Sequence, residues 1–319
     1  MPSPESPPAR AVGRRTRAAI VGVVVLSAIA LVSVPLIILD QDPGGDAPKT
    51  ADGSAEPMPP VPSGAPTTHA PESPVTADAD PPGDSAASPS GEAAPVGDLP
   101  GWTQTFVDEF ETPVAGESFP GPYRSSWLPY DGFTDTSDLG VYRAEAVSVD
   151  GGVLALGVAA TAEEATSSAV VPLVDGRWGG QTFGRYSVRL RSDPVPGYSA
   201  SLLLWSDDND WDDGEIDFPQ GHLDDVVRAY NHTPGDPSVN SYAQRTDVPF
   251  DEWHTYTIEW KPDEIVYLID GETIGTARSD IPTASMHWVM QIETAQGGPP
   301  DGVRGAVQVD WATIYRYDG

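Results

Sequence analysis

Aromatic residues are confined to one part of this chain, and that boundary limits what it can fold into. All 27 Phe, Tyr and Trp residues lie at or after Trp102, so the first 101 positions hold none. A segment without aromatics buries too little apolar area to offset chain entropy, so the packed core has to come from residues 101–319. The absence of cysteine excludes a disulfide scaffold, thiolate metal sites, thiol nucleophiles and a lipid anchor on cysteine. A formal net charge of −31 argues against nucleic acid as a partner, because duplex binding is driven by Lys and Arg neutralising phosphates.

The aromatic-free part divides by charge and hydropathy. Residues 1–17 carry Arg10, Arg14, Arg15 and Arg17 against a single Glu5. The next segment, 18–39, is apolar and broken only by Gly22, Ser27, Ser33 and Pro35. As a helix it would span about 33 Å, enough for a bilayer's hydrocarbon core. The arginines before it and Asp40 and Asp42 after it put the N-terminus on the inside. A cleaved signal peptide is the rival, but Leu36-Ile37-Ile38-Leu39-Asp40 is a poor cleavage site. A buried soluble helix is the third reading. Anchor or signal, the remainder is exported. Residues 40–100 hold 14 prolines with many Ala, Gly, Ser and Asp, which is the composition of a disordered tether. It would reach between about 45 Å as a coil and about 190 Å as polyproline II. That suits either a spacer into a cell wall or one with no length requirement.

From Trp102 onward, short alternating segments separated by turn residues predict an all-β fold. Tyr186, Val188 and Leu190 alternate with Arg185, Ser187, Arg189 and Arg191. The residues from His254 to Trp260 repeat the pattern, and 265–269 and 272–277 flank Asp270-Gly271, a type I′ hairpin signature. Many short strands and no helical stripe point to a sandwich or jelly roll.

The segment Trp211-Asp212-Asp213-Gly214-Glu215-Ile216-Asp217-Phe218-Pro219-Gln220-Gly221 is the most informative chemically. Strand periodicity puts Glu215 and Asp217 on one face, about 7 Å apart along the strand. Two such carboxylates repel and are costly to bury. Glycoside hydrolysis is the reaction that most often needs the pair. A solvated edge strand is the bland alternative. Trp205, Trp211 and Trp288 offer flat faces for sugar rings, or serve as core. Arg185 either pairs with the carboxylates or is a surface arginine.

Here the chain resembles glycoside hydrolase family 16, which includes laminarinases, lichenases and agarases. The resemblance covers nearly all of 102–319. It is carried by Phe106-Val107-Asp108-Glu109-Phe110, by Phe183-Gly184-Arg185-Tyr186 through Leu204-Trp205, and by the Glu215 segment. The run Trp253 to Trp260 with Asp270-Gly271, and Val309-Asp310-Trp311 to Tyr315, complete it. It implies a concanavalin-like jelly-roll sandwich of two antiparallel sheets, with Glu215 as the nucleophile of a retaining mechanism and Asp217 tuning its neighbours. The family motif is Glu-x-Asp-x-Glu or, with a bulge, Glu-x-Asp-x-x-Glu. Pro219 suits the bulged form, which puts Gln220 at the position of the general acid/base.

A glutamine amide cannot deliver a proton. Three readings follow. Another acid substitutes, with Glu293 in Gln291-Ile292-Glu293 first, then His222, Asp224 or Asp225. Or the enzyme is slow or mainly a transglycosylase. Or the domain keeps its sugar cleft without catalysis. The resemblance also puts His232 on the strand beside the site, where it contacts substrate or is simply hydrogen-bonded. It matches Glu109 and Asp310 to a structural calcium site, oxygen ligands suiting that ion. Catalysis itself needs no cofactor. The expectation is therefore a monomeric, membrane-anchored, extracytoplasmic glycosidase acting on O-glycosyl bonds of a β-linked polysaccharide. A tethered carbohydrate-binding domain without catalysis is the alternative.

Overall fold

Alternation of apolar and polar residues sets most strand boundaries in the computed structural model, which describes residues 88–319. The expected basic segment 1–17, the anchor 18–39 and the tether up to residue 87 lie outside the described residues. Among the described residues helix is confined to four single-turn 3-10 segments, and none is long and apolar enough to cross a membrane.

The strands are numbered in chain order and form two packed sheets, joined at one edge where β5 pairs with β6. The first runs β11 (Asp236–Pro249), β10 (Val226–Thr233), β9 (Glu215–His222), β8 (Tyr198–Ser206), β15 (Met286–Thr294) and β6 (Ala165–Pro172). The short β2 (Trp127–Pro129) pairs with β6. The second sheet runs β5 (Val153–Ala160), β16 (Arg304–Tyr317), β7 (Gly184–Ser192), β12 (His254–Trp260), β13 (Ile265–Ile269) and β14 (Glu272–Ala277). Here β1 (Trp102–Asp108) pairs with β16, and β4 (Val147–Asp150) with β5. The parallel pairing of β3 (Gly140–Tyr142) with β6 stands alone; the other ladders are antiparallel. At the predicted hairpin Asp270 and Gly271 both have positive φ, 49° and 80°, as a type I′ turn requires.

One face of each sheet supplies the core. Leu202, Leu204, Ile216, Phe218 and Met290 of the first sheet meet Tyr186, Val188, Leu190 and Ile258 of the second. Phe218 on β9 packs edge-on against Tyr256 on β12, with ring centroids 5.6 Å apart. The architecture is the jelly-roll sandwich expected from the sequence.

The expected linker needs correction at its C-terminal end. Residues 88–100 lie along β16, β7 and β1. Ser88 Oγ and Ser90 N donate to Asp310 Oδ2 at 2.5 and 3.1 Å. Glu92 pairs with Arg189 at 2.8 Å, and its carbonyl accepts from the Trp311 indole at 2.8 Å. Ala94 is buried, and its N–H donates to Glu109 Oε1 at 3.2 Å. Composition hid this strap because it borrows its aromatic partner, Trp311, from the sheet and holds on through backbone groups. It also bears on calcium. The two residues matched to calcium, Glu109 and Asp310, each accept hydrogen bonds from the strap on one carboxylate oxygen.

Candidate active site

Gly214 opens the strand that carries the site. It has φ of 83°, and a Cβ there would come within 2.8 Å of the His232 carbonyl oxygen, so glycine meets both demands. Just before it, Asp210 accepts from Asp212 N at 3.0 Å, and Ser206 Oγ donates to Asp213 Oδ2 at 2.5 Å. These bonds fix the turn that lays Trp211 against Trp205, stacked at 5.5 Å, and beside His232 at 5.3 Å.

The register confirms a bulge in β9. From Leu203 to Ser201, β8 advances two residues while β9 advances three, from Asp217 to Gln220. On the other side Tyr230 and Arg228 of β10 meet the same Asp217 and Gln220. The extra residue lies within Phe218–Pro219, and it returns Gln220 to the face of Glu215 and Asp217. All three point away from the core, yet Glu215, Asp217 and Gln220 are only 3%, 0% and 4% exposed. Their burial makes this part of the face a recess, with Ser201 and His232 of the flanking strands against them.

Within that recess the polar atoms form a chain. Gln220 Nε2 donates to Ser201 Oγ at 3.2 Å, and Ser201 Oγ reaches Asp217 Oδ1 at 3.4 Å. His232 Nε2 lies 3.1 Å from Asp217 Oδ2, and His232 Nδ1 donates to the Pro237 carbonyl at 2.9 Å. Burial raises the Glu215 carboxyl well above the usual range, and the charge and hydrogen bond of Asp217 push it the same way. Burial would lower the His232 imidazole, but its hydrogen bond with Asp217 and that residue's charge outweigh this and raise its pKa. The proton-binding groups thus sit around Asp217, with a neutral amide at the third position.

None of the proposed substitute acids reaches that third position. Glu293 pairs with Ser199 on β8, five positions from Leu204, the partner of Ile216. Its row is two positions past that of Gln220, so it is not the third residue of the motif, although its charge adds to the raised pKa of Glu215. Glu293 is instead held by the Tyr142 and Thr136 hydroxyls, and burial raises its pKa to about 7. His222 is two pairs beyond Gln220 and bonds Ser199 Oγ at 3.2 Å. Asp225 pairs with Arg228 and Arg245, and Asp224 is exposed in the turn.

Other expected residues divide between the two sheets. Trp205, Trp211, His232 and Gln291 lie on the site face, and Gln291 pairs with Ser201 in the row of Gln220. Arg185 does not join them. Its neighbour Tyr186 enters the core, so Arg185 points outward from the second sheet to Glu259, 3.2 Å away. Trp288 is a core residue, edge-on to Tyr186. Missing from the sequence reading was an apolar cluster on the site face: Val171, Leu203, Trp205 and Val289, bordered by Leu128, Tyr130, Trp178 and Trp211. The alternation of Ser199 and Ser201 with Ala200 and Leu202 marks the site face of β8 and gave a usable signal. Among the described residues, Glu215, Asp217 and His232 form a group with ligand atoms within 4.8 Å of one another.

Comparison with known proteins agrees with the fold. Residues 164–313 match the model of "Glycosyl hydrolases family 16". A β-glucanase of Rhodothermus marinus is 27% identical over 259 residues, 68% of this chain and 86% of that protein. Congo red hypersensitive protein 1 of Saccharomyces cerevisiae is 29% identical over 137 residues, 41% of this chain, and the match spans 25% of the yeast protein. Among solved structures, the laminarinase from Rhodothermus marinus superposes with a TM-score of 0.55 at 22% identity, covering 68% of this chain and 98% of that one.

Proposed function

We propose, on the match of residues 164–313 to the model of glycoside hydrolase family 16, that this face binds a β-linked polysaccharide of the β-glucan type. Glu215 attacks its anomeric carbon to form a glycosyl-enzyme, the first half of a retaining reaction. Asp217 and His232 manage the proton that Glu215 must give up before it attacks, since burial and the neighbouring Asp217 raise the Glu215 carboxyl. Leaving-group protonation and activation of water both belong to position 220, where an amide does neither. Losing that group slows turnover by about 10²–10⁴-fold. The domain is therefore a glycan binder with a working nucleophile and a disabled acid/base.

One observation carries this reading: the bulge sets Glu215, Asp217 and Gln220 side by side, and no other named acid stands at the third position. The proposal includes exposure of the domain outside a membrane, anchored by residues 18–39, supported by the four arginines preceding that apolar run. Laminarin and lichenan hydrolysis by the wild type and by Gln220→Glu tests the assignment. Gln220→Glu should raise turnover by about 10²–10⁴-fold, and Glu215→Gln in that background should abolish it. Equal rates in wild type and Gln220→Glu contradict it.

A second reading, binding without any chemistry, is favoured by the raised pKa of Glu215, since a protonated carboxyl is no nucleophile. Tight polysaccharide binding with no release from an activated aryl glycoside would select it.

A further inference from the structure

A second buried imidazole lies on the site face and takes no part in the chemistry of Glu215. His287 on β15 pairs with Trp205 of β8 and is 3% exposed. Its Nδ1 is 2.9 Å from Asp207 Oδ1. Asp207 also accepts from Ser285 Oγ at 2.6 Å and from Gly180 N at 2.9 and 3.0 Å. Burial acts to raise the Asp207 carboxyl, but the hydrogen bonds from His287 and Ser285 prevail and hold it low. A carboxylate only accepts, so Nδ1 carries a proton, and the tautomer with no second proton presents a lone pair at Nε2. That atom is buried and meets no partner.

Its surroundings are those of a sugar site. The Trp178 ring lies 4.4 Å from the imidazole, inclined at 47°. Trp178 also packs against the apolar cluster of Val171, Leu203, Trp205 and Val289. Its loop is bound to the sheet through Gly180 and Gln181, while the neighbouring Asp175–Arg177 pair is solvent-exposed, so one side of the loop is unpacked. Buried polar atoms in folded proteins are nearly always hydrogen-bonded. An orphaned acceptor beneath an aromatic ring, on a face lined with tryptophan, matches the combination of flat apolar surface and few polar atoms that binds carbohydrate.

We infer that Asp207, His287 and Trp178 form a second saccharide subsite, in which Trp178 moves off the imidazole onto a sugar ring and His287 Nε2 accepts a hydrogen bond from one of that ring's hydroxyls. The subsite lies two strands from Glu215, about 10 Å away. That is too far for proton delivery to the scissile bond and far enough to hold a different sugar unit. Asp207 behind the ring, with Glu215 and Asp217 beside it, favours a neutral hydroxylated sugar over a uronate. His287 is a specificity-determining residue on this account. The inference rests on the reading that this face binds a β-linked glycan.

Calorimetric titration of the full chain with laminaribiose and laminarihexaose tests it, with melting temperatures as the check on folding. The wild type should bind the hexasaccharide more tightly than the disaccharide. His287→Asn keeps an amide N–H for Asp207 but lacks Nε2; it should weaken hexasaccharide binding about tenfold and leave the disaccharide unchanged. His287→Gln, which places an amide near Nε2, should recover part of the loss. Tryptophan emission should change on hexasaccharide binding in the wild type and change less in Trp178→Phe. Unchanged hexasaccharide affinity in a folded His287→Asn overturns the subsite. Failure of the wild type to bind either sugar, or laminarin itself, overturns the reading of the face and the subsite with it.

Discussion

At position 220, Glu and Gln differ by one heavy atom's identity, so the pocket accepts either with little change in packing. The consequence is electrostatic. A third carboxyl would join Glu215 and Asp217 in a recess with a single imidazole, His232, to balance them. The amide removes that charge and donates to Ser201, which keeps Asp217 solvated. Glu293 shows the cost of a buried acid more directly. Its pKa rises from 4.5 to about 7 on folding. The folded state therefore binds more protons than the unfolded chain between those values. Stability from this group is full below pH 4.5 and lost as pH rises towards 7. Glu293→Gln keeps acceptor and donor atoms for Tyr142 and Thr136 without a titrating proton. Urea unfolding should then decline less steeply between pH 4.5 and 7, with the variant gaining up to about 3 kcal/mol at pH 8. An unchanged slope would show that Glu293 does not carry this pH dependence. At this scale the sequence was legible where one strand held the whole pattern, as with Glu215, Asp217 and Gln220. It left Arg185 open, because period two says which residues leave the core but not from which sheet.

Among the elements, β9 and the strap contrast in how they announce themselves. Pro219 signalled the bulge because it cannot donate to a ladder, and the neighbouring registers bear it out. The strap has no hydrophobic periodicity, so nothing in its own residues separated 88–100 from the tether before it. Its partners depend on it nonetheless. Asp310 is buried, and its Oδ2 accepts from Ser88 and Ser90, while the Trp311 indole donates to the Glu92 carbonyl. A chain starting at residue 101 leaves these groups without their partners, at about 1–3 kcal/mol for each buried unsatisfied group. Residues 101–319 should therefore unfold at lower urea than residues 88–319, by at least that much. Equal midpoints would mean the strap adds no stability. Trp178 and His287 escaped the sequence reading for a related reason. Their contact joins a loop to a strand more than 100 positions away, and no local pattern records it.

For the whole molecule, the aromatic boundary located the folded part except for the strap of residues 88–100, and the net charge of −31 lies mainly in that part. What joins these scales is a reaction stopped halfway. A nucleophile without an acid/base partner can still displace a leaving group that needs no proton, but the resulting ester lacks a base to activate water. Mixing the enzyme with a dinitrophenyl β-oligoglucoside and following phenolate release therefore tests the central claim most directly. The prediction is a burst of about one phenolate per active site followed by slow turnover. Mass spectrometry should then find the sugar on Glu215, and Glu215→Gln should remove the burst. Steady release without a burst, at rates matched on lichenan, would show that another group serves as acid/base and would contradict the account.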